Sequence, residues 1–381
     1  LIFKENDVFD GSRQCGFAEF IKLSLIFNGK IKDIKQNLKQ QGGTSSMKTA
    51  QKSGVTRFKR ILFSGLFPIL FSGLFFLGLS GLFSFPAAAQ AKKSASSPGP
   101  LRAVTIVTEP NTTVWIDDVR YGKTGEDGKL EIKTVSAGRH SLRLRADGFK
   151  EVAQSILPAQ KGEIKVELVK TTDQAEMAFQ EAEKMLTVDR EKAAELYRKA
   201  IKLRPKYPEA YLALARVLSD SQKLDEALKA VQAARKQRLN YAEASAVEGR
   251  IYKELGEEEK ALASFKRAIT EGKGFQPEAY TGLGLFYKDK AEEAGGGGDF
   301  EQEEANYLQA VKYLRSGIKQ LSGAPDAEVL YQFVGLIYEK MKRYDDAIEV
   351  YEEFLEIFPD SSETTAVRSF IVQIKKQKSG Q

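Results

Sequence analysis

Cysteine and histidine are almost missing from this 381-residue chain, which holds one of each, Cys15 and His140. A single cysteine excludes an internal disulfide, and a lone imidazole without thiolates makes no zinc site unless several carboxylates join it. No Ser or Cys nucleophile motif surrounds His140, so it reads as a turn or edge-strand residue just before a strand. Phosphate-binding loops, nucleophile elbows and metal-binding helix motifs are missing as well. The expectation is a chain that is not an enzyme and needs no cofactor or metal.

An excess of one charge is also missing where it would matter. The net charge is +6, but residues 1–91 carry 12 Lys/Arg against 5 Asp/Glu, and residues 92–381 carry 46 against 47. The basic character belongs to the amino-terminal segment, so nucleic-acid binding is not expected of the rest. Residues 92–170 hold 14 basic and 10 acidic side chains, and residues 171–381 hold 32 and 37. That split points to two domains; solvated surface charge accounts for it most simply, and docking of the two through opposite charges is the alternative.

The chain opens on Leu1, and its first methionine is Met47. From there Lys48, Lys52, Arg57, Lys59 and Arg60 precede an apolar run from Ile61 to Phe85, followed by Pro86-Ala87-Ala88-Ala89-Gln90-Ala91. A basic start, an apolar middle and small residues at the end are the layout of a secretory signal peptide. Ala89-Gln90-Ala91 or Ala87-Ala88-Ala89 would be cut, leaving Lys92 or Gln90 first. The 25-residue run is also long enough to span a bilayer, so an uncleaved anchor at 61–85 is the alternative. Either way residues 92–381 are expected outside the cytoplasm, in the periplasm or cell envelope, touching membrane only through such an anchor. No cysteine follows the run, so no lipid-modified terminus is expected, and residues 1–46 read as a translated upstream extension that takes Cys15 with it. Lys92 to Pro100 is rich in Ser and Pro and reads as a flexible linker.

From 101 to 170 the apolar period is two. Val104 and Ile106, Val114 and Ile116, Leu130 and Ile132, Leu142 and Leu144, and Ile164, Val166 and Leu168 alternate with polar neighbours. Turn signals at Glu109-Pro110-Asn111, Asp117-Asp118, Asp127-Gly128, Ala137-Gly138 and Asp147-Gly148 separate them. About six short strands predict a small antiparallel sandwich or barrel. The order Val114-Trp115-Ile116-Asp117-Asp118, Gly122-Lys123-Thr124, Ala137-Gly138-Arg139-His140-Ser141-Leu142 and Asp147-Gly148-Phe149 resembles the PEGA domain. Pro110-Asn111-Thr112-Thr113 departs from the Pro-x-Gly-Ala usual there, which puts the first turn in doubt and leaves the strands. The resemblance implies an exported or cell-surface setting and establishes no catalytic activity. Trp115 faces away from Val114 and Ile116 and is a candidate carbohydrate contact, unless a loop or the next domain covers it.

Beyond residue 171 the period changes again. Ala200, Ala234 and Ala268 are each 34 residues apart, as are Tyr197, Val231 and Phe265 three places before them. Further on, Tyr331, Val334, Gly335 and Tyr338 are followed by Ala347, Tyr351 and Pro359. Small residues let two antiparallel helices approach, and large ones fill the seam around that contact. This pattern resembles the tetratricopeptide repeat (TPR), which implies a multidomain chain whose β-sandwich is followed by an all-α superhelix. About five hairpins are expected over 171–360, with a capping helix and tail over 361–381. The first hairpin is degenerate in its first helix, as terminal repeats often are, and that face has the β domain to meet. The fourth is interrupted near 290–309, where Gly295-Gly296-Gly297-Gly298 predicts a mobile loop.

In such a stack the first helix of each hairpin lines the concave side. The register places Glu209, Leu212, Arg216 and Asp220 there, then Glu243, Ala246, Arg250 and Lys253, then Glu278, Thr281, Leu285 and Lys288. Arg216 and Arg250 are equivalent and suit bidentate capture of an acidic peptide, unless the ladder of Glu209, Glu243 and Glu278 neutralises them. The candidate partner-binding residues are therefore Arg216, Arg250, Lys253, Leu212, Leu285 and Lys288. The expected function is an exported, non-enzymatic scaffold or adaptor whose groove holds a peptide or protein in the envelope. A wall- or polysaccharide-binding protein using the β domain is the alternative, and the oligomeric state stays open.

Overall fold

The computed structural model describes residues 101–379. The expected upstream extension, signal segment and linker, with Cys15, lie outside the described residues. Among those described, no helix is long and apolar enough to cross a membrane.

Among the described residues seven strands form the first domain: β1 (Arg102–Val107), β2 (Thr113–Ile116), β3 (Val119–Lys123), β4 (Lys129–Val135), β5 (His140–Arg145), β6 (Val152–Ile156) and β7 (Gly162–Lys165). They pair as two sheets, in the orders β4-β1-β7 and β3-β2-β5-β6. The alternating residues do what their period predicts: Val104, Ile106, Val114, Leu142, Leu144 and Ile156 are wholly buried between the sheets. Each such side chain contributes on the order of 1.5–3 kcal/mol relative to exposure. Asp117 and Asp118 both have left-handed backbones (φ 50° and 63°), which is the two-residue turn whose twist matches a hairpin, here joining β2 to β3. One pair departs from the antiparallel expectation, since β7 runs parallel to β1. The chain reaches β7 from β6 in the other sheet, and such a crossover permits a parallel return. Arg102 ties the loops together, its guanidinium donating to the carbonyls of Leu157, Pro158, Gln160 and Gly138.

The helices follow as antiparallel hairpins: α1 (Gln174–Met185) with α2 (Arg190–Leu203), α3 (Pro208–Asp220) with α4 (Leu224–Gln237), and α5 (Ala242–Glu254) with α6 (Glu258–Glu271). Then come α7 (Pro277–Gly296) with α8 (Phe300–Leu321), α9 (Glu328–Lys340) with α10 (Tyr344–Ile357), and a covering helix α11 (Thr364–Ser379). Starts are fixed by capping. Asp173 accepts from the amides of Ala175 and Glu176, Asp189 from Lys192 and Asp299 from Gln302, while Pro208 and Pro277 open α3 and α7. The repeated small and large positions lie in the seams as expected, with Ala200, Ala234 and Ala268 fully buried beside Tyr197, Val231 and Phe265.

The expected glycine loop is largely helix. Gly295 and Gly296 belong to the last turn of α7, and Gly297, Gly298 and Asp299 alone separate it from α8. The extra residues lengthen both helices, because Ala291 and Tyr307 continue the buried seam between them. Continued packing outweighs the low helix propensity of glycine.

Candidate functional site

The inner side of the helical stack is identified by a contact between hairpins that are not neighbours. Arg216 of α3 donates from both terminal nitrogens to the carboxylate of Glu278 in the first turn of α7, at 2.9 and 2.7 Å, and to Glu243 of α5 at 3.2 Å. Only side chains that converge toward the axis of a superhelix can bridge two repeats in this way. Buried Ala246 and Thr281, equivalent to Leu212, keep that path narrow. Burial works against the Arg216 charge, yet Glu278 and Glu243 outweigh it and hold the guanidinium more firmly protonated than usual.

The other nominated residues lie along the same surface. Arg250 is buried with Asp220 at 3.6 Å, so the two arginines meet different carboxylates. Lys253 and Lys288 are brought together through Asp289, and Lys288 also reaches Glu292 at 3.1 Å, which Lys340 of α9 shares at 2.6 Å. Leu212 is buried in the core of the first hairpins, and Leu285 is half-buried against the core of the last ones.

The residues that sequence reasoning missed join this surface to the β domain. Glu176, Phe179 and Glu183 of α1 occupy the places that Glu209, Leu212 and Arg216 hold in α3. Arg145 of β5 donates to Glu183, and its guanidinium lies 4.7 Å from the centre of the Phe179 ring. Glu176 accepts from the amide of Glu151 at 2.9 Å, while Gln180 accepts from Gly148 and donates to the Phe149 carbonyl, both at 2.8 Å. Burial raises the Glu183 carboxyl, a rise that Arg145 partly opposes. A second contact lies at the junction of α8 and α9. There Val119 joins the helical core, Tyr121 donates to the Leu321 carbonyl at 3.4 Å, Ser322 donates to the Thr134 carbonyl at 2.8 Å, and Arg120 approaches Asp326 at 3.9 Å. The β domain thus touches the first hairpin and the junction of the fourth and fifth.

A family profile for the PEGA domain matches residues 102–172, and profiles for the tetratricopeptide repeat match 189–251, 242–271 and 329–361. The chain carries a PEGA domain followed by tetratricopeptide repeats. No curated protein matches it. Among solved structures, the TPR stack is similar to MamA at 24% identity, covering 46% of this chain and 93% of that one, with a TM-score of 0.33. It is similar to TTC0263, a thermophilic TPR protein in Thermus thermophilus, at 19% identity, covering 52% and 98%, with a TM-score of 0.39. A third likeness, to the APC/C hetero-tetramer Cut9-Hcn1, has 16% identity and a TM-score of 0.42, covering 54% of this chain and 37% of that one. Likenesses at these scores carry no argument about partners. Both families are generally non-catalytic scaffolds, and TPR repeats in general hold protein partners.

Two PEGA residues carry competing readings in the sequence. The Trp115 ring is half-buried, with the guanidinium groups of Arg143 and Arg145 at 4.4 and 5.3 Å from its centre, so cations occupy the surface where a sugar would stack. His140 holds a turn: Nδ1 meets Asp117 Oδ2 at 2.6 Å, and Nε2 lies 2.9 Å from the Ser136 carbonyl oxygen, which can only accept. The nitrogen that a serine nucleophile would need as its base is therefore engaged as a donor. Among the described residues no cluster of His, Cys, Asp or Glu could hold a metal ion.

Proposed function

We propose that this chain is a non-enzymatic, exported interaction scaffold whose inner TPR surface holds a peptide or partner protein at the cell envelope. The observation that carries the reading is the Arg216 bridge from α3 to α7, which makes three successive hairpins present one rigid, polar surface. A preordered surface recognises a partner without the cost of ordering its own loops. Export rests on the layout of residues 47–91 and on the setting that the PEGA resemblance implies. Wall-polymer binding through Trp115 is the weaker reading, because Arg143 and Arg145 cover its ring.

The test is site-specific photocrosslinking of the full chain in intact cells. Probes at Lys253 and Leu285 lie on the inner surface, and a probe at Lys229 lies on an outer helix. Capture of one envelope protein by the inner probes and not by Lys229 is the expected result. Equal capture at all three positions, or binding of purified wall polymer that depends on Trp115, would replace the groove reading.

A further inference from the structure

We propose that the partner of the inner surface is a cationic segment carrying arginine and aromatic side chains, and that the outer face of the PEGA four-stranded sheet is its built-in competitor. The inference rests on the inner surface being the interaction site and adds the chemical class of its ligand.

Strand register builds the competitor. Trp115 of β2 pairs across with Arg120 of β3 on one side and Arg143 of β5 on the other, and Thr113 in the next row on the same face pairs with Arg145. The sheet therefore shows a row of Arg, Trp and Arg with a further Arg beside it. Its acceptors come from both domains: Arg145 meets Glu183 and the Phe179 ring of α1 as well as Glu151 of its own domain, Arg143 meets Asp118 and Glu151, and Arg120 meets Asp326 beside α9. Glu176 and Gln180 hold the backbone of the following loop by hydrogen bonds, as a groove holds an extended ligand. One outlying pair, Lys184 with Asp147, runs the other way and is exposed.

The cations of the surface point to the same ligand. Arg216 is engaged by Glu278 and Glu243, Lys253 by Asp289, and Lys288 by Glu292. An acidic segment would have to break these pairs before gaining its own. Those carboxylates are fixed within the stack itself, whereas a cationic segment replaces cations borne by the PEGA domain, Arg145 at Glu183 and Arg120 at Asp326, as that domain gives up its Val119, Tyr121 and Glu151 contacts. This reverses the acidic-peptide expectation drawn from Arg216 and Arg250.

The experiment uses the full chain as the wild type, as a released form (Arg120→Glu with Arg145→Glu), and as a charge-swapped form that adds Asp326→Arg and Glu183→Arg. The probes are fluorescent twelve-residue peptides, one of four Arg-Trp-Ala units and one of four Glu-Trp-Ala units, read by anisotropy. The released form is expected to bind the arginine peptide at least ten-fold tighter than the wild type and to show no gain for the glutamate peptide. Adding Glu183→Gln and Asp326→Asn to the released form should abolish the gain, which separates the site from general attraction between charges. The charge-swapped form should regain wild-type hydrogen-exchange protection in α1 and lose the gain, so a folding defect in the released form would be recognised. Equal binding of the arginine peptide by wild type and released form, a gain for the glutamate peptide, or no recovery of protection in the swapped form would each overturn the proposal. Failure of the scaffold reading looks different: the arginine peptide would bind as expected while the inner probes capture no envelope protein. If those probes capture an envelope protein that the arginine peptide does not displace, the scaffold stands and the cationic ligand falls.

Discussion

Phe265 of α6 is packed between two glycines, and this makes the stacking logic testable at one atom. A Cβ added at Gly282 of α7 would lie 2.3 and 2.4 Å from Cε1 and Cζ of the Phe265 ring, and one at Gly249 of α5 would lie 2.7 and 2.8 Å from Cδ1 and Cε1. The ring has nowhere to turn, since it is 1% exposed and packed among Ala246, Ala261, Ala268, Ala279 and Leu283. Gly282→Ala should gain about 1 kcal/mol of helix propensity. Overpacking costs roughly 1–3 kcal/mol, and contacts this short place it at the upper end. The expected outcome is a net loss of about 1–2 kcal/mol from a substitution that strengthens an isolated helix. Phe265→Leu by itself should cost about 1 kcal/mol or more, since it opens space in the seam. In the double variant the new methyl fills part of that space, so the losses should fall short of additivity by about 1–2 kcal/mol. Urea unfolding followed by circular dichroism reads the stability. Hydrogen exchange over α5 to α7 then shows that the loss is local, as expected where each repeat contacts only its neighbours. A neutral or stabilising Gly282→Ala, or strict additivity with Phe265→Leu, would refute the close-approach argument.

Three further outcomes are expected. In the extended fourth hairpin, Gly296→Ala meets open space within a helix and should stabilise by about 0.5–1 kcal/mol, whereas Gly298→Ala, at φ +85°, should destabilise by about 1 kcal/mol; thermal unfolding of the pair decides. Arg102→Met removes the donor shared by four loop carbonyls and should cost about 2–3 kcal/mol, read from Trp115 fluorescence during urea unfolding of the PEGA domain. Burial, aided by the charge of Asp117, pushes the Tyr121 phenol up to about 12. The folded state thus holds that proton more tightly than the unfolded state, whose phenol titrates near 10. The contribution is present below pH 10 and lost as pH rises from 10 to 12, and absorbance titration against Tyr121→Phe should show the missing phenol ionising in that upper range.

The seam of the solenoid was legible because one side chain serves one position in every repeat. Ala200, Ala234 and Ala268, with Tyr197, Val231 and Phe265, announce a buried contact by period alone, and all six are buried. Strand β3 was not legible, because its apolar residues serve two cores at once: Val119 packs with the helices, and Tyr121 touches both clusters. The glycines near 295 were read by composition, and helix packing through Ala291 and Tyr307 overrode it. On the inner surface the residue types were visible and the pairings were not. Arg216 meets Glu278, 62 residues away, only because the superhelical turn brings α3 to α7, and no local pattern records that turn.

The charge split between the two domains acquires a physical meaning at α1. Among the described residues that helix starts the stack with no preceding hairpin to cover it, and Phe179 would stand open with Tyr207 beside it at 5.3 Å. The PEGA domain closes this end with Arg145, which lies over Phe179 and pairs with Glu183. The same sheet reaches the α8–α9 junction through Arg120 and Tyr121. Cutting the chain at residue 171 would therefore expose the first hairpin and strip Val119 from the helical core at the same time. A loss of partner binding by the isolated repeats would then mix unfolding with release. Reversal of the two arginines keeps Val119 and Tyr121 in the chain while removing the charge pairs, which makes it the cleaner perturbation of how the PEGA domain governs the surface it covers.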